Sequence, residues 1–493
     1  MNLSVFSAFS AFFPEVILAV SAMIALMYGV FIPEKKEGRA FKDVCLIGIV
    51  AFLSAILTLH CQIDSPNIFS KMLSVDVFTQ SIKFIVLFAG IGFLVYARTT
   101  NPEGTRLKPE YPVLILLSIL GMFVAVSARN LLLLYVGIEL QALCFYILAA
   151  FRRDSLEACE AGLKYFILSA LASGLMLFGM SLIYGFSGSL SYDMILARVN
   201  VGTDLTNLIG LKIGIVMLMM AFGFKLSSFP FHFWTPDVYE GSAPITTSFF
   251  ASLPKIVAFA ALAQFVFATV FPVFAVIQPI FLVFAIGSMV IGAFGGIGQT
   301  HIKRLIAYST ISNMGYVMIG FVVGTSASVA ASFGYVVFYM IMNFAFFGIL
   351  FQIQTKDGII SKLDDLAGLS KKNPVLAYAL SVVLLSMAGI PPLAGFFTKF
   401  ILFKAAIDSG AVFLSVVGLI SSVVGCFYYL KPIKIMFFDA PAEEVNCVYL
   451  SKAGILVLSL CLFVIVALVI HPDFAYSIGQ FLVSSLSFVN FVQ

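Results

Sequence analysis

The chain has 493 residues, of which 61% are hydrophobic, 15% aromatic and 11% charged, with a net charge of +4 and seven Cys. Soluble domains carry about 25% charged residues, and a mean hydropathy of +1.09 leaves too little polar surface to cover a fold of this length in water. Composition therefore excludes a soluble enzyme, a disordered tail and a nucleic-acid binder, because the charges are too thinly spread for a basic face.

A bilayer span takes about 20 apolar residues. The N-terminus has no charged region and no small-residue cleavage site after its apolar run, so it reads as the lead-in to a first span, not a signal peptide. Spans are predicted around Val20, Ala51, Phe88, Ile119, Glu139, Leu175, Val216, Phe259, Phe284, Ile311, Tyr339, Gly389, Val424 and Leu460, fourteen in all. Residues 474–493 follow His471-Pro472-Asp473 and read as a helix along the interface, with a fifteenth span as the alternative. The expected fold is an all-α polytopic membrane protein of about 14 transmembrane helices.

Cytoplasmic loops carry the excess of Lys and Arg. The odd-numbered loops hold Lys35, Lys36, Arg39, Lys42, Arg98, Arg106, Lys108, Arg152, Arg153, Lys303, Arg304, Lys356, Lys362, Lys371, Lys372, Lys431, Lys434 and Lys452. The even-numbered loops and their flanks hold only Lys71, Arg129, Arg198, Lys212 and Lys404. Both termini are then predicted on the non-cytoplasmic side. Five bases remain inside apolar runs: Lys83, Lys164, Lys225, Lys255 and Lys399.

A Lys at mid-span costs about 2.5–3.5 kcal/mol to insert unless it faces protein, water or a counter-charge. Held between desolvation and an acidic neighbour, a Lys can gain or lose a proton; Arg cannot, and all five buried bases are Lys. The carboxylate near mid-span is Glu139. One Glu with one Lys reads equally well as a static ion pair, but one Glu does not balance several Lys. Lys225 precedes a break at Pro230, and Lys399 follows a second break at Pro391 and Pro392. In lipid, the carbonyls freed at such breaks must line protein or a wet cavity. Lys255 follows Pro254 at mid-span. Lys164 reads either as buried or as snorkelling, Lys83 as snorkelling or locally paired, and His232 as a candidate proton carrier or a capped interfacial residue.

The two breaks lie in the seventh and twelfth spans. The odd spacing predicts two five-helix units inserted in opposite orientations, as in secondary transporters. The expected division is residues 1–109 as three N-terminal helices, 110–271 and 272–440 as inverted repeats with discontinuous helices near 225–236 and 387–400, and 441–493 as a last span with the interfacial helix. No Cys or His spacing makes a metal, haem or iron–sulfur site, and no phosphate loop is present, so no cofactor is expected in the chain.

Several stretches resemble the antiporter-like membrane subunits of respiratory complex I, the NADH:quinone oxidoreductase. They are Leu134-Tyr-Val-Gly-Ile-Glu139-Leu, Gly223-Phe-Lys-Leu-Ser-Ser-Phe-Pro-Phe-His-Phe-Trp-Thr-Pro-Asp-Val-Tyr-Glu-Gly241, Leu253-Pro-Lys255, Ile302-Lys-Arg-Leu-Ile-Ala-Tyr-Ser-Thr-Ile-Ser-Asn-Met-Gly315 and Gly389-Ile-Pro-Pro-Leu-Ala-Gly-Phe-Phe-Thr-Lys-Phe400. One of the three paralogous types has Glu where Lys399 stands. The longest type has a lateral helix for which no room is expected after Phe474, so the third type fits. The resemblance implies fourteen spans in inverted five-span repeats. It implies that Glu139 is the acidic partner of Lys225, Lys164 an auxiliary charge modulating Lys225, Lys255 the central connecting base, and Lys399 the terminal base that releases protons. It assigns no role to Lys83.

The resemblance also implies proton pumping coupled to electron transfer from NADH to quinone, with flavin, iron–sulfur clusters and quinone held by partner subunits. The expected partners are other complex I membrane subunits, including paralogues of this chain, and the lipid of a bacterial inner membrane. Alternatives on the same fold are a subunit of a multi-subunit cation/proton antiporter or of a membrane-bound hydrogenase. A passive scaffold subunit is a further alternative.

Overall fold

The computed structural model describes residues 12–32, 37–60, 65–68, 72–99, 107–200, 209–355, 358–440, 446–447 and 451–486. Residues 1–11 of the predicted lead-in, the loop charges Lys35, Lys36, Arg106 and Lys356, and residues 487–493 lie outside the described residues, as does Lys71.

Three helices open the chain: α1 (Phe13–Phe31), α2 (Glu37–His60) and α3 (Val77–Thr99). An antiparallel pair, β1 (Ser65–Ile68) and β2 (Leu73–Val75), joins α2 to α3. Then come α4 (Glu110–Ser127), α5 (Leu131–Ala149), α6 (Leu156–Ser187), the short α7 (Tyr192–Asn200), α8 (Ile209–Lys225), α9 (Trp234–Gly241) and α10 (Pro244–Phe265). A π turn at Val266–Val270 and a 3-10 turn at Phe271–Val273 lead into α11 (Phe274–Ile297). The rest is α12 (Ile302–Val317), α13 (Ile319–Val323), α14 (Ser326–Leu350), α15 (Leu369–Lys372), α16 (Pro374–Ala388), α17 (Ala394–Asp408), α18 (Val412–Phe438), α19 (Lys452–Ala467) and α20 (Phe474–Ser484). A small sheet, β3 (Ile353–Thr355) between β4 (Gly358–Ile359) and β5 (Asn446–Cys447), ties the loop after α14 to the loop after α18.

Local chemistry explains most boundaries. Side chains of Asn130, Ser155, Thr325, Asn373 and Ser451 cap the first turns of α5, α6, α14, α16 and α19. Asp76 accepts from the Thr79 amide at 2.8 Å and starts α3. Gly188, with φ +76°, ends α6 in the left-handed conformation that glycine adopts without strain.

Among the described residues, ten helical runs are long and apolar enough to cross a membrane. One of them, Pro244–Ile297, has 54 residues, about 80 Å of helix against a hydrocarbon core of about 30 Å, so the turns at 266–273 divide it. Every predicted centre falls on a helix except Gly389, which sits at the break after α16. The all-α polytopic architecture is therefore as expected. The described part of the C-terminal helix, α20, has 11 residues, too short to span.

In lipid, helices associate by close packing and not by hydrophobic burial. α4 and α5 touch through Gly121, where a Cβ would meet Gly137 O and Gln141 N at 2.7 Å. α11 and α12 meet in the same way, with Gly315 against Met289 N at 2.7 Å and Gly292 against Ser312. α12, α13 and α14 are buried almost all round and form the centre of the molecule. Phe259 of α10, Phe321 of α13 and Phe333 of α14 interlock there, with ring centroids 4.7–5.0 Å apart.

Candidate functional site: lysines on freed carbonyls

α8 ends at Lys225 because Pro230, two residues past Ser228, cannot continue a helix and has no amide to donate. The last two carbonyls of α8 are both taken. Phe224 O accepts from Ser227 N at 3.0 Å and from Trp234 Nε1 at 3.1 Å. Lys225 O accepts from Lys255 Nζ at 3.1 Å. Lys255 is 1% exposed and reaches across from α10; its Nζ also donates to Ser227 Oγ at 2.5 Å and lies 5.0 Å above the Trp234 ring. Trp234 is fixed by stacking on Tyr165, centroids 4.5 Å apart. Ser227 has φ 58°, a left-handed conformation that costs a non-glycine residue about 1–2 kcal/mol. Its hydroxyl is the group that holds Lys255.

The Lys225 side chain points toward α6 and donates to Ser169 Oγ at 3.0 Å. One turn further along α6, Ser173 donates to Glu139 Oε1 in a short bond. Glu139 and Lys225 thus each bond a serine on the same face of α6, four residues apart; among the described residues no ion pair joins them directly. Lys225 and Lys255 both line a cavity of about 20 Å³, room for one water, walled by Gln141, Tyr165, Trp234 and Phe250.

The second break repeats this logic. α16 ends at Ala388, and Gly389 takes φ +86° with its amide on Leu385 O and Ser386 O. Lys399 Nζ, from the first turns of α17, donates to Met387 O at 3.2 Å, Ala388 O at 3.1 Å and Ser422 Oγ at 3.1 Å. It lies 5.1 Å from the Tyr316 ring centroid. A Cβ at position 389 would meet the Lys399 Nζ at 3.3 Å, so glycine is needed for space as well as for φ.

Between the breaks, α12 presents a buried polar face. Ser309 and Tyr429 share a 2.5 Å hydrogen bond, Asn313 Nδ2 donates to Ser309 O at 2.8 Å, and Tyr335 donates to Asn313 Oδ1 at 2.5 Å. Tyr339 donates to Thr310 at 2.8 Å, and Ser312 to Tyr316 at 3.4 Å. Sequence reasoning missed this face, and the α6 serines with it.

Of the five lysines singled out, two are paired with carboxylates. Lys83 of α3 is 1% exposed and forms a 2.6 Å ion pair with Glu15 of α1, so it is locally paired and does not snorkel. Glu15, in the first turn of α1, was overlooked as a span carboxylate. Lys164 is 42% exposed and pairs with Glu160 at 2.7 Å and Asp237 at 2.8 Å; no hydrogen bond joins it to Lys225. Lys225, Lys255 and Lys399 form no ion pair among the described residues. Lys303, predicted as a loop charge, is instead 8% exposed in the first turn of α12, where it donates to Ser242 O at 2.8 Å and to Glu240 O. His232 is buried at the break between Phe229 and Phe233, and among the described residues no hydrogen bond joins it to the lysines.

A family model described as NADH:quinone oxidoreductase/Mrp antiporter, TM matches residues 128–425. NADH-quinone oxidoreductase subunit N of Parvibaculum lavamentivorans is 44% identical over 434 residues, 87% of this chain and 88% of that protein. The subunit of the same name from Pelagibacter ubique is 41% identical over 432 residues, 87% and 90% of the two chains. Among solved structures, a chain of respiratory complex I from Thermus thermophilus with bound aureothin has a TM-score of 0.77 at 30% identity, covering 94% of this chain and 98% of that one. A chain of the Mrp complex from Dietzia has a TM-score of 0.80 at 20% identity over 97% of each, a likeness of fold alone. The chain therefore belongs to the NADH:quinone oxidoreductase/Mrp antiporter family of membrane subunits, with NADH-quinone oxidoreductase subunit N among its close relatives.

Proposed function

We propose that this chain is a proton-translocating membrane subunit of a respiratory NADH:quinone oxidoreductase in a bacterial inner membrane. Electron transfer from NADH to quinone takes place in partner subunits, which hold the flavin, iron–sulfur clusters and quinone. Other membrane subunits of that complex, including paralogues of this chain, flank it. The reading crosses the bilayer fourteen times with both termini on the non-cytoplasmic side: α8 with α9, α16 with α17, and α19 complete the ten long runs once 244–297 is counted as two. The antiporter alternative is supported by a likeness of fold at 20% identity, against 44% for subunit N.

Two inverted repeats, 110–271 and 272–440, follow residues 1–109 and precede 441–493. The correspondence of the glycine-packed pairs α4–α5 and α11–α12 supports the division, as does that of the two Lys-bearing breaks.

One observation carries the functional reading: three lysines, Lys255 and Lys399 buried and Lys225 half-buried, rest on helix-end carbonyls and hydroxyls, and among the described residues no carboxylate is bound to them. Such a nitrogen is solvated well enough to carry charge and is not locked into carrying it. Movement of charge in a neighbouring subunit shifts Glu139, and the shift reaches Lys225 through Ser173 and Ser169. Lys225 and Lys255 face one cavity, and a second positive charge there is opposed by repulsion from the first. A proton on one displaces a proton from the other toward the α12 polar face and Lys399. Among the described residues the buried hydroxyls of Ser228, Thr235 and Ser248 have no hydrogen-bond partner, and water is their natural one along this path. His232 is a side carrier at most, since no bond ties it in. Lys164 acts on Lys225 only at a distance, through Asp237.

Moving one charge against 100 mV requires about 2.3 kcal/mol, within reach of a change in pairing at one buried Lys. The test is proton pumping by the assembled complex in vesicles. Lys225→Ala and Glu139→Ala are expected to lower pumping and coupled quinone reduction with assembly intact. Unchanged pumping in either would refute the relay.

A further inference from the structure

The short helix α9 is held at its far end by two consecutive residues of α12. Lys303 grips the backbone, donating to the carbonyls of Glu240 and Ser242, the last of these at 2.8 Å. Arg304 grips the side chains: its Nη1 lies 2.9 Å from Asp237 Oδ1 and 2.7 Å from Glu240 Oε2. Asp237 keeps its second oxygen on Lys164 of α6 at 2.8 Å. Arg152, from the loop between α5 and α6, takes the remaining carbonyl, Gly241 O, at 3.3 Å. Cations belong at a helix C-terminus, where carbonyls are unpaired and the helix dipole is negative. Two cations on three successive carbonyls of an eight-residue helix go well beyond an ordinary cap.

We infer that Lys303 and Arg304 clamp α9 rigidly to α12, so that the first broken helix and the polar face leading to Lys399 move as one body. The inference rests on the relay proposed above. Trp234, in the first turn of α9, carries the ring beneath the Lys255 ammonium. Ser309, Thr310 and Asn313 lie on the same helix, whose first turn carries Lys303. Fixing the foot of α9 to the foot of α12 therefore fixes the distance between the central base and the next polar groups. Arg304 and Lys303 are positioning residues, not proton carriers. A guanidinium suits the role because its Nη1 reaches both carboxylates and the group never gives up its proton.

The test is the number of protons pumped per quinone reduced, normalised to assembled complex, because a merely structural defect lowers both in proportion. Arg304→Met is expected to lower this ratio by about two-fold or more. Arg304→Lys is expected to recover part of the loss, and the exchange Glu240→Arg with Arg304→Glu more than either single change. An unaltered ratio in Arg304→Met, with Lys225→Ala defective beside it, overturns the clamp alone. Normal pumping in Lys225→Ala overturns the relay and with it the clamp's stated role. If Arg304→Met does not assemble, Arg304→Lys decides: a ratio below the parent's is expected, and a ratio equal to the parent's overturns the inference.

Discussion

The two broken helices solve one problem with different wiring. Each break leaves helix-end carbonyls deep in the bilayer, and each supplies a lysine to bind them. At the first break the lysine comes from another helix: Lys255 of α10 binds the last carbonyl of α8. At the second it comes from the far half of the same broken helix: Lys399 of α17 binds the last two carbonyls of α16. The left-handed residue also differs, Ser227 at the first and Gly389 at the second. Serine tolerates the strain because its hydroxyl joins the lysine's shell. Glycine is required where the lysine folds back over its own turn. Among the described residues, a carboxylate, Glu139, lies near the first break only, bonded to Ser173 one turn from the Ser169 that holds Lys225. Under the proposed relay, an acid at one end and a bare base at the other is the asymmetry expected of a path with an input and an output.

The largest effect that separates the breaks is expected from Gly389→Ala. The left-handed conformation costs about 1–2 kcal/mol for a residue with a Cβ, and that Cβ would meet Lys399 Cδ at 3.1 Å. Assembled complex from this variant is expected to pump several-fold more slowly, approaching about 10²-fold if the lysine nitrogen moves by a full ångström. Next comes Ser227→Gly, which relieves the backbone and removes the Lys255 partner in one step. If the hydroxyl matters more than the strain, pumping falls while thermal stability holds or rises, as read from activity and the unfolding midpoint of the purified complex. The smallest effect is expected from Ser169→Ala or Ser173→Ala, each removing one link and leaving the charges in place. A fall of about two- to ten-fold, and a larger one in the double variant, fits a loss of about 0.5–1.5 kcal/mol per bond. A double variant that pumps normally would show that Glu139 acts on Lys225 through space.

Much of this was legible in the chain. The breaks announce themselves as prolines in apolar runs, and Lys225, Lys255 and Lys399 stand out because a charge inside such a run has few bland explanations. Their partners were not legible, because serine, tyrosine and backbone carbonyl are ordinary constituents of any span. Ser169 and Ser173 look like the many serines that bond their own helix. Glu15 was hidden by its place in the first turn of a span, where an acid needs no special reason. Lys303 followed a loop pattern correctly, and only the packing of α9 over α12 shows that its nitrogen is buried. Lys83 and Lys164 were ambiguous in sequence for the same reason: Glu15 and Asp237, which claim them, lie 68 and 73 residues away, although Glu160, the other partner of Lys164, is one turn away.

Arginine and methionine variants at Lys255 and Lys399 separate a proton carrier from a fixed cap. Arginine keeps the positive charge and the carbonyl contacts but does not release a proton. The decisive measurement is proton pumping by reconstituted complex carrying Lys399→Arg, compared with Lys399→Met. A relay through this nitrogen requires that both variants lose pumping. Pumping retained in Lys399→Arg and lost in Lys399→Met would mean that the lysine only neutralises the helix end.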